Sequence, residues 1–381
     1  MTLKVSRRGR IAPFIVMDVL REANERAAAG AEILHLEIGQ PSTPAPAGVL
    51  AAARRALDHD ALGYTDTLGL PALRRAIAAH YDEAYGVSVD PARVTVTTGS
   101  SAGFILAFLA SFEPGDRVAL AAPGYPAYRN ILTALDLEPV ELPTGPAERF
   151  QPTLELLRRH RDLSGLIVAS PANPTGTMVP ADELAAIARH CDASGIRLVS
   201  DEIYHGIVYG MRASTAAALS PSAIVVNSFS KFYSMTGWRI GWMVVPEEMI
   251  RAIDCLAQNL FIAPPSLSQH AALAAFSCQD ELAANVARYA DNRSLLLEEL
   301  PKAGFERFAP ADGAFYLYAD IAHLTNDSGD FCRRMLREIG VAATPGVDFD
   351  PARGHGTMRL CFAGDRATIA AAARRLAAWR R

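Results

Sequence analysis

The chain has 381 residues, half of them hydrophobic, with 37 Lys and Arg against 41 Asp and Glu. That length exceeds what one hydrophobic core usually serves and points to a large domain with a smaller companion. A net charge of -4 provides no strongly basic face, so neither nucleic acid nor an anionic membrane surface is expected as a partner.

Basic and then apolar residues open the chain. Asp18 and Arg21 interrupt the apolar run and no small-residue cleavage site follows, so no secretory signal is expected. No stretch of about 18 apolar residues is present to span a membrane. Ile11, Ile15, Val19 and Leu20 fall at helical spacing and predict a helix over 11–30, ending at Gly30. Prolines at 41, 44 and 46 rule out regular structure there, and helices are expected near 46–58 and 70–84.

From residue 93, short β-branched runs alternate with helical ones. The predicted strands are RVTVTT (93–98), RVALAA (117–122), GLIVAS (165–170), IRLVSD (196–201) and AIVVNS (223–228), with helices near 101–112, 126–136 and 180–193. This alternation predicts an α/β domain whose mainly parallel, buried sheet has helices on both faces. The run IGWMVV (240–245) follows too closely for a helical crossover and is expected to lie antiparallel. After a helical stretch (246–300), strands near 304–308, 314–320 and 357–363 with helices at 329–339 and 366–380 predict a smaller α+β domain. The expected boundaries are 45–285 for the large domain and 1–44 with 286–381 for the small one, joined by the helix near 281–300. Five widely spaced cysteines cannot all pair and show no metal-ligand spacing, so reduced thiols, a cytoplasmic setting and no metal site are expected.

In an open parallel sheet, ligands sit beyond the carboxyl ends of the strands. The residues that fall there are Gly99-Ser100-Ser101, Pro123-Gly124-Tyr125-Pro126, Pro171-Ala172-Asn173-Pro174-Thr175-Gly176, Asp201-Glu202-Ile203-Tyr204 and Ser228-Phe229-Ser230-Lys231. Alone, each has an ordinary explanation: a helix cap, a tight turn with Pro174 as a candidate cis bond, a surface lysine. Small, polar and reactive groups at all five ends are a stronger signal. The amides and hydroxyls of Ser100 and Ser101, at the positive end of a helix, suit a phosphate dianion, and Ser228, Ser230 and Arg239 could complete the cup.

Asn173-Pro174-Thr175-Gly176, Asp201-Glu202-Ile203-Tyr204 and Ser228-Phe229-Ser230-Lys231 with Arg239 eight residues on resemble the class I/II aminotransferases, fold-type I pyridoxal-phosphate enzymes. The likeness runs from Ile38-Gly39 to Arg359. It implies that Lys231 carries pyridoxal 5'-phosphate covalently and moves the proton between the substrate α-carbon and the cofactor. Asp201 would pair with the pyridine nitrogen, Asn173 and Tyr204 would hold the phenolic oxygen, and Tyr125 would stack on the ring. The phosphate would rest on Ser100, Ser101, Ser228, Ser230 and Arg239. Tyr64 would reach the phosphate of a neighbouring subunit, implying a homodimer. Arg359 would clamp the substrate α-carboxylate beside Asn173 and the Gly39 amide.

Ser101 departs from one aspartate aminotransferase subgroup, in which a lysine at this place helps to bind the distal carboxylate. The expected substrate is therefore broad or monocarboxylic, with glutamate/2-oxoglutarate or alanine/pyruvate as second pair. Arg129 and Arg212 remain alternatives for a distal clamp, and Ile11, Phe14 and Ile15 are candidates for an apolar pocket wall. The rival readings are aspartate transamination and carbon–sulfur β-elimination or cyclisation on the same cofactor. An aminotransferase-like effector sensor needs a DNA-binding segment ahead of it, for which residues 1–10 leave no room.

Overall fold

Residues 3–379 are described by the computed structural model. The strands predicted between 93 and 245 come together with one that was not, Glu138–Pro143, in a seven-stranded sheet. In spatial order it runs Val94–Thr97, Gly241–Val244, Ile224–Ser228, Arg197–Asp201, Gly165–Ala169, Arg117–Ala122 and Glu138–Pro143. Gly241–Val244 is antiparallel to both neighbours, as its short connection requires, and the other paired strands are parallel. Every residue of Val94–Thr97, Ile224–Ser228 and Gly241–Val244 is buried, which fits strands rich in β-branched and apolar residues without a polar face.

Helices cover both faces. Ala47–His59, Pro71–Tyr85, Ala181–Ser194 and Ser266–Ala275 bury Val49, Leu73, Ile77, Leu184 and Ala271 against one face. Gly99–Ser111, Pro126–Ala134 and Ile250–Leu260 bury Phe104, Phe108, Leu132 and Ile253 against the other. The helical stretch predicted over 246–300 is three helices, because Pro264 and Pro265 break it before Ser266–Ala275, and Ser277 and Cys278 before Gln279–Glu299.

A third core packs Leu36, Phe305, Leu317, Phe331, Leu360 and Leu376. Its antiparallel sheet has the order Thr344–Pro345, Thr357–Cys361, Tyr316–Asp320, Arg307–Phe308 and carries the helices Ser328–Ile339 and Arg366–Ala378. A two-residue parallel pairing of Leu34–His35 with Val341–Ala342 ties in the segment after the first helix. Gln279–Glu299 spans two cores: Leu282 packs with the large sheet, Tyr289 and Leu296 with the small one.

On that helix, the buried Asn292 amide donates to the carbonyls of Phe362 (3.0 Å) and Gly364 (2.9 Å). Asn292→Ala would leave both carbonyls without this donor in a buried setting. It is expected to cost about 2 kcal/mol, read as a lower midpoint with unchanged slope in denaturant unfolding.

The first helix is shorter than predicted, Ile15–Ala28. Pro13 holds the chain extended ahead of it, and the Asp348 carboxylate accepts the free N–H groups of Ile15 (3.0 Å) and Val16 (3.2 Å). Among the described residues no helix is long and apolar enough to cross a membrane.

Candidate active site

The carboxyl ends of the sheet strands line a cavity of about 230 Å³, and the small sheet closes it with Tyr316 and Arg359. Ser100, Ser101, Tyr125, Asn173, Asp201, Tyr204, Ser230, Lys231, Arg239, Arg359 and Gly39 all face it. Ser228 does not. It lies behind the wall, its hydroxyl 2.9 Å from that of Ser230 and 3.2 Å from the Ile240 carbonyl. Tyr64 is also outside, 85% exposed.

The anion end is built on backbone geometry. Gly99 opens the helix Gly99–Ser111 at φ +73°, and a Cβ there would fall 2.4 Å from Nη2 of Arg239. Only glycine lets the guanidinium lie against the helix start. Arg239 itself sits at φ +51°, a left-handed conformation uncommon outside glycine. No side chain caps the helix, so its first-turn N–H groups are left for a ligand at the positive end of the dipole.

Asp201 lies at the other end, buried, with Oδ1 accepting from the Ile203 N–H (3.0 Å) and Oδ2 from the Tyr128 hydroxyl. Burial pushes its pKa up to about 6, against the pull of those two donors. Tyr128 was not singled out from sequence. Tyr125 is the N-terminal cap of the helix Pro126–Ala134, and a second tyrosine three residues on shares its face. That spacing was the available signal.

Lys231 is half-buried, and Nζ donates to the Gly39 carbonyl at 2.6 Å. Burial lowers its pKa to about 8, with the charges of Arg359 and Arg239 acting in the same direction. The Tyr204 hydroxyl meets that of Tyr316 at 2.6 Å. Tyr316, also unanticipated, comes so near Gly39 that a Cβ there would fall 1.9 Å from its hydroxyl. Asn173 precedes a cis proline, as anticipated for Pro174, and its Oδ1 accepts from Arg359 Nη1 at 2.7 Å. Arg359 also donates to the Glu37 carbonyl and to Thr344 Oγ1, and lies between the rings of Tyr316 (4.5 Å) and Phe349 (4.8 Å).

Neither alternative clamp is in the cavity. Arg129 donates to the Asp348 carbonyl (2.7 Å) and pairs with Glu141 (3.6 Å), while Arg212 borders a different cavity. The apolar wall consists of Phe14, Val16, Met17, Ile38 and Ile131. Phe14 was expected. Ile11 and Ile15 are displaced by Val16 and Met17, because the helix starts at Ile15 and turns a different face inward.

The profile of the class I and II aminotransferases matches residues 31–376. A valine–pyruvate aminotransferase of Mycobacterium tuberculosis is 53% identical over 384 aligned positions, covering 100% of this chain and 99% of the relative. An aspartate/prephenate aminotransferase of Thermus thermophilus is 35% identical over 96% of this chain and 95% of its own. The crystal structure of an aminotransferase from Mycobacterium tuberculosis superposes with a TM-score of 0.98 at 53% identity, covering 99% of each chain. The chain belongs to the class I and II aminotransferases of fold-type I, and it transfers an amino group between amino acids and 2-oxo acids.

Proposed function

We propose that this enzyme holds pyridoxal 5'-phosphate on Lys231 and exchanges the amino group of an apolar, monocarboxylic L-amino acid with a small 2-oxo acid, valine and pyruvate being the first pair to test. One observation carries the substrate reading. Arg239, at the phosphate end, and Arg359 are the only arginines among the described residues that line the cavity, and Phe14, Val16, Met17, Ile38 and Ile131 give it an apolar wall beside the uncharged Gln40. A distal carboxylate would meet no cation there and would lose water without compensation. The name of the Mycobacterium tuberculosis relative points the same way.

The residues fit the cofactor. An uncapped helix start beside Arg239 matches its phosphate, a buried carboxylate matches its pyridine nitrogen, and a lysine of lowered pKa matches its aldehyde. When bound, pyridoxal phosphate supplies the carbonyl that receives the amino group and the ring that draws off the electron pair of the Cα–H bond. Ser100, Ser101, Ser230 and Arg239 bind the phosphate, with Ser228 bracing Ser230. Asp201, oriented by Tyr128, stays ionised against the ring nitrogen, and Tyr125 covers the ring face. Asn173 and Tyr204 hold the phenolic oxygen. Arg359 fixes the α-carboxylate and so aligns the Cα–H bond, Gly39 offers its amide beside it, and Lys231 moves the proton.

Exposed Tyr64, pinned through Thr65 Oγ1 to Gln269 (2.9 Å), is placed to complete the phosphate site of a second copy in a cytoplasmic homodimer. The large-sheet cores form one domain (45–285). The small-sheet core with the N-terminal segment forms the other (1–44 with 286–381), and it closes over substrate.

The deciding experiment is kcat/KM across valine, alanine, methionine, phenylalanine and aspartate. Valine is expected about 100-fold ahead of aspartate, and Ser101→Lys is expected to narrow that gap about tenfold by placing a cation in the wall. Aspartate leading in the wild type, or release of ammonia without an oxo acid, would refute the reading.

Tyr128→Phe removes the strongest influence lowering the Asp201 pKa. With that pKa raised, less Asp201 is ionised near neutrality. Cofactor affinity is expected to fall about tenfold at pH 7, more at pH 6 and less at pH 8, in a spectrophotometric titration of the apoenzyme.

A further inference from the structure

A second cavity, of about 520 Å³, shares no lining residue with the catalytic one. Its wall is aromatic, with Tyr85, Phe232, Tyr233 and Trp242. The Phe232 and Tyr233 rings meet edge to face at 5.0 Å. His205 stiffens the wall: Nδ1 lies 2.7 Å from the Tyr85 hydroxyl and Nε2 lies 3.0 Å from the Ser170 carbonyl.

Several polar groups on this cavity are left over, the buried Tyr233 hydroxyl among them, and three of them offer a charge or a donor to a ligand. Arg212 and Glu83 are exposed at its rim, and among the described residues neither has an ion-pair or hydrogen-bond partner. Asn227 is buried and lines the cavity. Its Oδ1 accepts from the Ser228 N–H at 2.7 Å, while its amide N–H groups have no partner among the described residues. Opposite charges that border one cavity without meeting match a ligand that carries both, and the rings that line it match a flat apolar body.

We infer that the second cavity binds an aromatic α-amino acid as its zwitterion. The carboxylate lies on Arg212 with Asn227 as a further donor, the ammonium on Glu83, and the side-chain ring against Phe232 and Tyr233. The site is separate from the catalytic cavity, so the amino acid acts there as an effector and not as a donor.

Equilibrium binding of L-phenylalanine to the 381-residue Arg359→Ala protein tests this, because the carboxylate clamp of the catalytic cavity is then gone. One molecule per chain is expected. Affinity should fall about tenfold when Arg212→Ala or Glu83→Gln is added, and 3-phenylpropionate and phenethylamine should each bind more weakly than the amino acid. No binding up to about 10 mM, or binding indifferent to both rim substitutions, overturns the inference. Should Arg359→Ala fail to fold, wild-type crystals soaked in L-phenylalanine decide. Electron density between Arg212 and Glu83 supports the site, and an empty cavity refutes it.

Discussion

Lys231→Ala is expected to lower turnover by about four orders of magnitude, the upper end of what a single acid–base group contributes. Two other ionisable groups of the cavity are already engaged. The Tyr204 hydroxyl is committed to Tyr316, and Asp201 is held by Tyr128 and the Ile203 N–H. The loss should be partly restored by small primary amines, which can enter the space left by the side chain, and not by tertiary amines of equal basicity. Full activity in the variant, or rescue indifferent to amine size and class, would remove Lys231 from the proton path.

A pH dependence accompanies this. Burial lowers the Lys231 pKa to about 8, and only the neutral amine attacks a carbonyl. Below that value the neutral fraction falls about tenfold per pH unit. The rate of cofactor capture by the apoenzyme should therefore rise with pH and level off above about 8, where an unperturbed lysine would keep rising to about 10.4. Stopped-flow absorbance at saturating ionic strength separates the two profiles.

Much of this site was legible from sequence because the sheet is parallel and buried. A buried strand is an unbroken apolar run, and the residue at which the run stops is the one facing the ligand. That reasoning located Asn173, Asp201 and Lys231 from local sequence. It missed Glu138–Pro143, whose two prolines and two glutamates argue against a strand and are tolerated because it lies at the sheet edge. It missed the two-residue strands Leu34–His35, Val341–Ala342 and Thr344–Pro345, which are too short to show a period. Tyr316 was illegible for another reason: its meeting with Tyr204 depends on docking of the small sheet, and nothing local marks it. Arg359 was reached through family resemblance alone, since a strand arginine has no local signature of function.

Arg359→Lys tests that last assignment and is expected to reduce kcat/KM about 100- to 1,000-fold for every α-carboxylate substrate, roughly 3–4 kcal/mol of lost stabilisation. Of the five guanidinium N–H bonds, three go to Asn173, the Glu37 carbonyl and Thr344. These set the plane between the Tyr316 and Phe349 rings and leave one Nη1 N–H, with the buried Nε–H, unused. An ammonium cannot stack between two rings as a planar group, and with three donors in place of five it cannot keep the contacts to Asn173, Glu37 and Thr344 and still hold a carboxylate. KM should rise because the carboxylate is held less well, and kcat should fall because the Cα–H bond loses its alignment. Amino acid and oxo acid share the same carboxylate, so both half-reactions should suffer alike. An amine without a carboxylate should react no worse than with wild type, so the preference for amino acids over amines collapses. A loss confined to one half-reaction, or equal losses for amines and amino acids, would mean that Arg359 supports the fold of the site and does not hold the substrate. Thermal unfolding of the variant within a few degrees of wild type, about 1 kcal/mol for a chain of this size, makes that comparison fair.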